Sequence, residues 1–206
     1  MIEPAFLITT FVTLFVVIDP VSLAPMFVAL TRGMSAAQRR AVAFRACLIA
    51  VLLLLVFGLF GEALLAFIGI SMPAFQIGGG ILLFLTALDM LFDRRTPRRE
   101  GHADVVEDPS VFPLAMPLIA GPGAMAAMIL LINDAGRELA GIVAVNAIML
   151  GVVALCAVLF LAAGLIERAL GRTGTMVVTR LLGMLLAALS VQFVLNGLTA
   201  IGVLAG

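Results

Sequence analysis

Six apolar runs, at roughly residues 5–31, 41–68, 72–92, 112–133, 139–166 and 177–203, dictate what this chain can become. A helix needs about 20 apolar residues to cross a hydrocarbon core about 30 Å thick, and every run reaches that length. Of the 206 residues, 64% are hydrophobic and 12% charged. Soluble domains carry about a quarter charged residues, so no water-facing surface would cover a core built from these runs. The expectation is an all-α, polytopic membrane protein with six spans and the lipid bilayer as its first partner. The opening "MIEP" lacks a basic n-region, so the first run is expected to stay as a span and not to be cleaved as a signal peptide. Cys47 and Cys156 fall inside apolar runs and read as small packed hydrophobes, not as a disulfide framework.

The linkers are short except for "DRRTPRREGHADVVEDPS", 93–110, whose charges and prolines mark a solvated loop. The chain thus divides into a three-span unit over 1–92, a charged loop over 93–111 and a second three-span unit over 112–206, all in one membrane domain. His102 stands in that loop without ligand-spaced partners and reads as a solvated residue, with no metal site. All twelve basic residues are arginines. Arg32, Arg39, Arg40 and Arg45 flank the first linker, Arg94, Arg95, Arg98 and Arg99 the third, and Arg168, Arg172 and Arg180 the fifth. Only Arg137 lies in an even-numbered linker. By the positive-inside rule this bias puts linkers one, three and five in the cytoplasm and both termini outside. Each unit holds an odd number of spans, so the second enters the membrane upside down relative to the first.

Internal similarity supports that division. Setting Asp19-Pro20 over Gly121-Pro122 aligns "VVIDPVSLAP" with "PLIAGPGAMA", "AVAFRAC" (41–47) with "IVAVNAI" (142–148), and "GILLFLTALDML" (80–91) with "GMLLAALSVQFV" (183–194). Two inverted three-helix repeats are expected, the first helix of each broken at its proline. In hydrocarbon every backbone group needs a partner, and a proline inside a helix removes a donor and displaces a carbonyl. One broken helix reads as a packing kink. Two matched breaks, one beside an acid, read as a polar site near mid-membrane, where freed backbone groups and half-helix dipoles meet a zwitterion or small ion. The candidate binding residues are Asp19, Pro20, Ser22, Gly121, Pro122 and Gly123.

Asp19 lies too deep in its run to reach either interface and is the strongest single candidate. Arg45 and Asp89 stand at similar depth near the cytoplasmic ends of spans two and three, where they either form a salt bridge or snorkel separately to the interface. Their repeat counterparts, Asn146 and Gln192, are uncharged and are expected to close the opposite gate by hydrogen bonding. Glu62 reads as interfacial. Gly58, Gly61 and the triplet at 78–80 read as close-packing positions.

Three stretches, "DPVSLAPMFVALT" (19–31), "FIGISMPAFQIGGGILLFLTALDML" (67–91) and "PLAMPLIAGPGA" (113–124), resemble the MarC family of bacterial integral membrane proteins, and the resemblance runs through nearly the whole chain. It implies a six-span, multi-pass protein of the bacterial inner membrane. Because the family includes members described as small neutral amino acid transporters, it also implies amino acid transport.

The leading expectation is a secondary transporter of a small neutral solute, with glycine or alanine as candidates. One repeat rocks against the other around the two breaks, and a proton or sodium ion couples at Asp19. The alternative is a non-transporting scaffold or regulatory membrane protein whose broken helices only pack. An embedded enzyme ranks last, since one buried acid has no convergent base, nucleophile or metal cluster. No Walker-type loop, nucleophile elbow or zinc-ligand spacing occurs, so no enzyme, resident cofactor, metal or nucleic-acid partner is expected. The sequence specifies no oligomeric state.

Overall fold

The computed structural model describes residues 3–31, 33–92, 108–136 and 138–203. The first run forms α1 (Pro4–Ile18) and α2 (Pro20–Leu30), joined through Asp19 and continuing as one span of 27 residues. α3 (Ala36–Phe67) starts from a capping box: the Gln38 amide donates to the Ser35 hydroxyl, and the Ser35 amide donates to the Gln38 side chain. α4 (Met72–Leu91) is capped by Ser71. Such caps satisfy first-turn donors that would otherwise be orphaned, and here they mark where each span leaves the interface.

The second half opens differently. Over Ser110–Ile119 the chain makes wide helical turns interrupted by extended residues at Phe112 and Met116, each followed by a cis proline. A residue before proline is pushed out of the α region, and Pro113 and Pro117 donate nothing to a helical ladder, so this proline segment cannot close into a regular α-helix. α5 (Pro122–Asp134) leaves it at 51°. α6 (Leu139–Leu161) and α7 (Ala163–Ala200) complete the chain. Among the described residues, five helices are long and apolar enough to cross a membrane, six when the bent pair counts as one span.

The spans match the apolar runs except at the fifth linker. α6 ends at Leu161 and not near 166, while α7 begins at Ala163 and not near 177. Glu167, Arg168 and Arg172 end the apolar run without ending the helix, because Glu and Arg are strong helix formers. Hydropathy marks a span, not a helix. At 1.5 Å per residue α7 is roughly 57 Å long, and the part of it that suits a bilayer is Met176–Ala200. Most of the central loop, 93–107 with His102, lies outside the described residues, as do Arg32 and Arg137.

Helix packing runs mainly between the two halves. α4 lies on α7, α3 packs on the proline segment, α5 and α6, and α6 also packs on α1 and α2. Lipid supplies no hydrophobic force between helices, so contact depends on close backbone approach at small residues. The antiparallel α4–α7 seam has such approaches at three levels. A Cβ on Gly183 would lie 3.1 Å from the Ala87 carbonyl oxygen, one on Gly80 2.8 Å from that of Ser190, and one on Gly197 2.9 Å from that of Pro73. Gly58 and Gly61 seat α3 on α5 by making room for side chains, those of Met128, Ile132 and Ile129. The opposite face carries the bulk: Phe44, Leu48, Leu52, Val56 and Phe60 form an exposed apolar stripe along α3 that suits the bilayer interior.

Candidate functional site

The two breaks are built differently, and only the first is wholly interior: Asp19 and Pro20 are buried, whereas Gly121 is half-buried and Pro122 exposed ahead of the buried Gly123. Asp19 has φ 54° and ψ 61°, and among the described residues it is the sole non-glycine with positive φ. Asp and Asn tolerate this left-handed conformation better than other side chains because they hydrogen-bond locally. Asp19 does so in both directions. Its amide donates to the Phe15 carbonyl (2.9 Å) and ends α1, while its carbonyl accepts from Leu23 (3.2 Å) and its carboxylate from the Ser22 amide (3.3 Å), starting α2. Its side chain is fully buried. Pro20 occupies the first helical position of α2, where a missing N–H costs nothing and the fixed φ is already helical.

Two further groups meet this break. The Ser22 hydroxyl is hydrogen-bonded to the Thr179 hydroxyl of α7. The Cys47 thiol of α3 and the Cys156 thiol of α6 interact with each other, and Cys156 lies within electrostatic reach of Asp19. Both cysteines are free and buried, as packed small side chains.

At the second break Gly121 is extended (φ −75°, ψ 166°), and Pro122 again takes the first helical position. No side chain caps α5; its first hydrogen bond runs from the Met125 amide to the Gly121 carbonyl (3.0 Å). Gly121 is required by space, since a Cβ there would lie 2.6 Å from the Pro117 carbonyl oxygen. The second break meets the end of α1 at Gly123. A Cβ built on it would lie 3.5 Å from Val17 of α1 and 3.4 Å from both Leu83 and Thr86 of α4. The uncapped start of α5, with a glycine at its second position, therefore faces the last turn of α1, two residues before the fully buried acid.

Of the residues expected to gate the two ends, Arg45 and Asp89 do not form a salt bridge with each other. Arg45 pairs with Asp108, not with Asp89. The reason is the packing between halves: α3 lies against the proline segment, which carries Asp108 to Arg45. The Ser110 hydroxyl (2.6 Å) and amide (3.0 Å) also donate to Asp108. These bonds, then Arg45, hold its carboxyl below the ordinary value. Asp89 is half-buried on α4 with contacts of its own. Asn146 donates to the Ile142 carbonyl on its own helix (2.8 Å), and Gln192 is exposed and donates to Asn196 (2.8 Å). Glu62 is half-buried.

Thr179, Thr86 and Asp108 belong to this architecture and carry little sequence signal. A lone threonine in an apolar run is unremarkable in a span. The "DPS" at 108–110 is a turn-like cap motif next to a helical run, and it is the one such signal available beforehand.

Comparison with known proteins agrees with this architecture. The chain is 36% identical over 198 residues to a UPF0056 membrane protein of Archaeoglobus fulgidus, covering 94% of this chain and 92% of that one. It is 34% identical over 203 residues to the membrane protein YvbG of Bacillus subtilis, covering 94% of each. The inner membrane protein YhgN of Escherichia coli K12 is 33% identical over 192 residues, covering 93% of this chain and 95% of that protein. No solved structure matches the chain. The model of the MarC family integral membrane proteins matches residues 5–201, and the chain belongs to that family.

Proposed function

We propose that this multi-pass membrane protein is a secondary transporter of a small neutral solute of the glycine or alanine class. Alternating access would operate at the paired breaks, with a proton or sodium ion coupling at Asp19 and both termini outside. The observation that carries this reading is the approach of one break to the other: a buried acid ends α1 and caps α2, and Gly123 in the uncapped first turn of α5 meets Val17 in the last turn of α1. A helix start presents unpaired N–H groups and positive potential, which suits a carboxylate. Asp19 suits an ammonium group or a coupling cation. Together they complement the two ends of a small zwitterion, and Val17, Leu83 and Thr86 around Gly123 leave little room for a large side chain.

The interleaved packing modifies the expected motion. Rocking one half against the other would open the α4–α7 seam, where the backbones touch at three glycines. That seam is better read as the fixed frame, with the broken spans moving against it. Labelled glycine or alanine flux into proteoliposomes, under imposed proton or sodium gradients, tests the reading. Concentrative uptake driven by one gradient is expected. Absence of flux under every gradient would favour the scaffold reading.

A further inference from the structure

Three buried oxygens among the described residues have no hydrogen-bond partner within the protein: Thr10 Oγ1 and Thr13 Oγ1 on α1, and Asn146 Oδ1 on α6. Both threonines are fully buried. An unpaired buried polar group costs about 1–3 kcal/mol. A helical threonine usually avoids this by donating to the carbonyl four residues back, as Thr31 and Thr86 do here. Thr10 and Thr13 do not, and their spacing puts them on one face of α1.

α1 packs on α6, and the stack of Phe160 on Phe27, with ring centroids 4.6 Å apart, sets the register. The first span and α6 are the first and fifth crossings when the bent pair counts as one span, so they run parallel. At 1.5 Å per residue, Thr13 and Thr10 stand roughly 21 and 26 Å before Phe27, and Asn146 roughly 21 Å before Phe160. The three oxygens share a level between Asp19 and the end of the bundle where both helices begin. At that end α1 opens from Glu3 and α6 from Glu138, both exposed.

We propose that Thr10, Thr13 and Asn146 line an access path through which a small hydrated cation, a proton or a sodium ion, reaches Asp19 from the end where α1 and α6 begin. Uncharged oxygens replace part of a cation's water shell without holding it tightly, as conduction requires, and the two glutamates favour cations at the mouth. The purpose of the path rests on the transport reading; its accessibility to water and ions does not.

Silver ion, a small aqueous cation that captures thiols, is the probe. In protein carrying Cys47→Ala and Cys156→Ala and reconstituted in liposomes, Thr13→Cys and Asn146→Cys are exposed to silver nitrate, and unreacted thiol is then read by a maleimide gel shift after denaturation. Capture at both sites is expected at least tenfold faster than at Leu54→Cys, a fully buried position on α3 away from α1; equal rates overturn the proposal. Joining Thr10→Val and Thr13→Val, which keep shape, should slow capture at Asn146→Cys about tenfold without raising the thermal midpoint. A double variant that melts higher and leaves capture unchanged also overturns it, because the hydroxyls were then only orphaned in packing. Slower capture in sodium nitrate than in choline nitrate assigns the path to sodium, and equal capture assigns it to the proton. A protein that passes these tests yet moves no solute keeps the path and loses the transport reading.

Discussion

The two breaks solve one problem in opposite ways. At Asp19 the chain interrupts a span at a single residue, and that residue supplies its own remedy: one carboxylate caps the next helix, and the span continues for 27 residues. At Gly121 the interruption is longer, the span bends by 51° and no side chain caps α5. The first break is closed by its own acid, while the second leaves its helix start free. Identical breaks would carry two acids or none. This pair carries one, and the difference makes the second break the place where a solute's negative end is accommodated in the proposed mechanism.

The largest expected effect comes from making the second break carry a side chain. Gly121→Ala places a methyl 2.6 Å from a backbone oxygen of Pro117, and overpacking of this kind costs about 1–3 kcal/mol or more when backbone must yield. Detergent-solubilised protein should lose most of its monodisperse peak on size exclusion. A peak at the parent's yield would show that the second break is pliable and the contrast overstated.

Next comes the acid. Asp19→Asn keeps the cap and the tolerated left-handed backbone, so folding should survive with a thermal midpoint near the parent's while concentrative uptake fails and exchange persists. Asp19→Ala loses the cap, worth about 1 kcal/mol, and the local hydrogen bonding that eases a left-handed residue, worth a further ~1–2 kcal/mol. It should melt measurably below Asp19→Asn. Equal melting of the two would mean that capping does not anchor this break, and full accumulation by Asp19→Asn would remove the acid from coupling.

Gly123→Ala should be milder in structure than in function. Its methyl meets its neighbours at 3.4–3.5 Å, an ordinary contact distance, so the thermal midpoint should hold. Solute affinity should fall roughly tenfold, about 1.4 kcal/mol, in exchange or equilibrium-binding assays. Unchanged affinity would place the solute elsewhere than beside the α5 start.

The smallest effect concerns how the second break is anchored. The folded Asp108 carboxyl titrates below its ordinary value of 3.8. Its contribution is therefore complete above that pH and lost as pH falls through the lower folded value. Ser110→Ala removes the leading cause of the depression, so its thermal midpoint should lie below the parent's at neutral pH and fall by less as pH drops below the ordinary value. Arg45→Gln should reduce that fall less, since Ser110 contributes more and both charged partners are partly exposed. A larger reduction from Arg45→Gln would invert that ranking.

Much of the fold is legible in the sequence because apolar length and proline position act locally. Pro20 and Pro122 start helices, and each can be located without knowing any neighbour. The glycine seats at 58, 61 and 80 follow from the same logic, since small residues in spans are where backbones meet. What escapes is whatever depends on which helices are neighbours. Arg45 and Asp89 stand at matching depths on consecutive spans, yet α3 packs on the second half and not closely on α4, and the arginine turns to Asp108. Thr179 meets Ser22 only because α7 crosses α2, and no local pattern announces that crossing. The start of α7 escapes for another reason: a charged stretch of Glu and Arg ends hydropathy while prolonging the helix.

The glycine seam between α4 and α7 also has a consequence in time. Its two strips, around Gly80 and around Gly183, are separated by about a hundred residues of chain, which a ribosome adds in roughly 5–20 s at 5–20 residues per second. Throughout that interval α4 sits in lipid with its small-residue face unmatched, and α3 likewise waits for α5. The first three spans therefore enter the bilayer before their main partners exist: α3 can assemble once α5 and α6 arrive, and α4 only when the last helix does. A nascent chain stalled before α7 would leave that face open to quality control, so survival of the protein in the cell depends on how promptly its last helix is delivered.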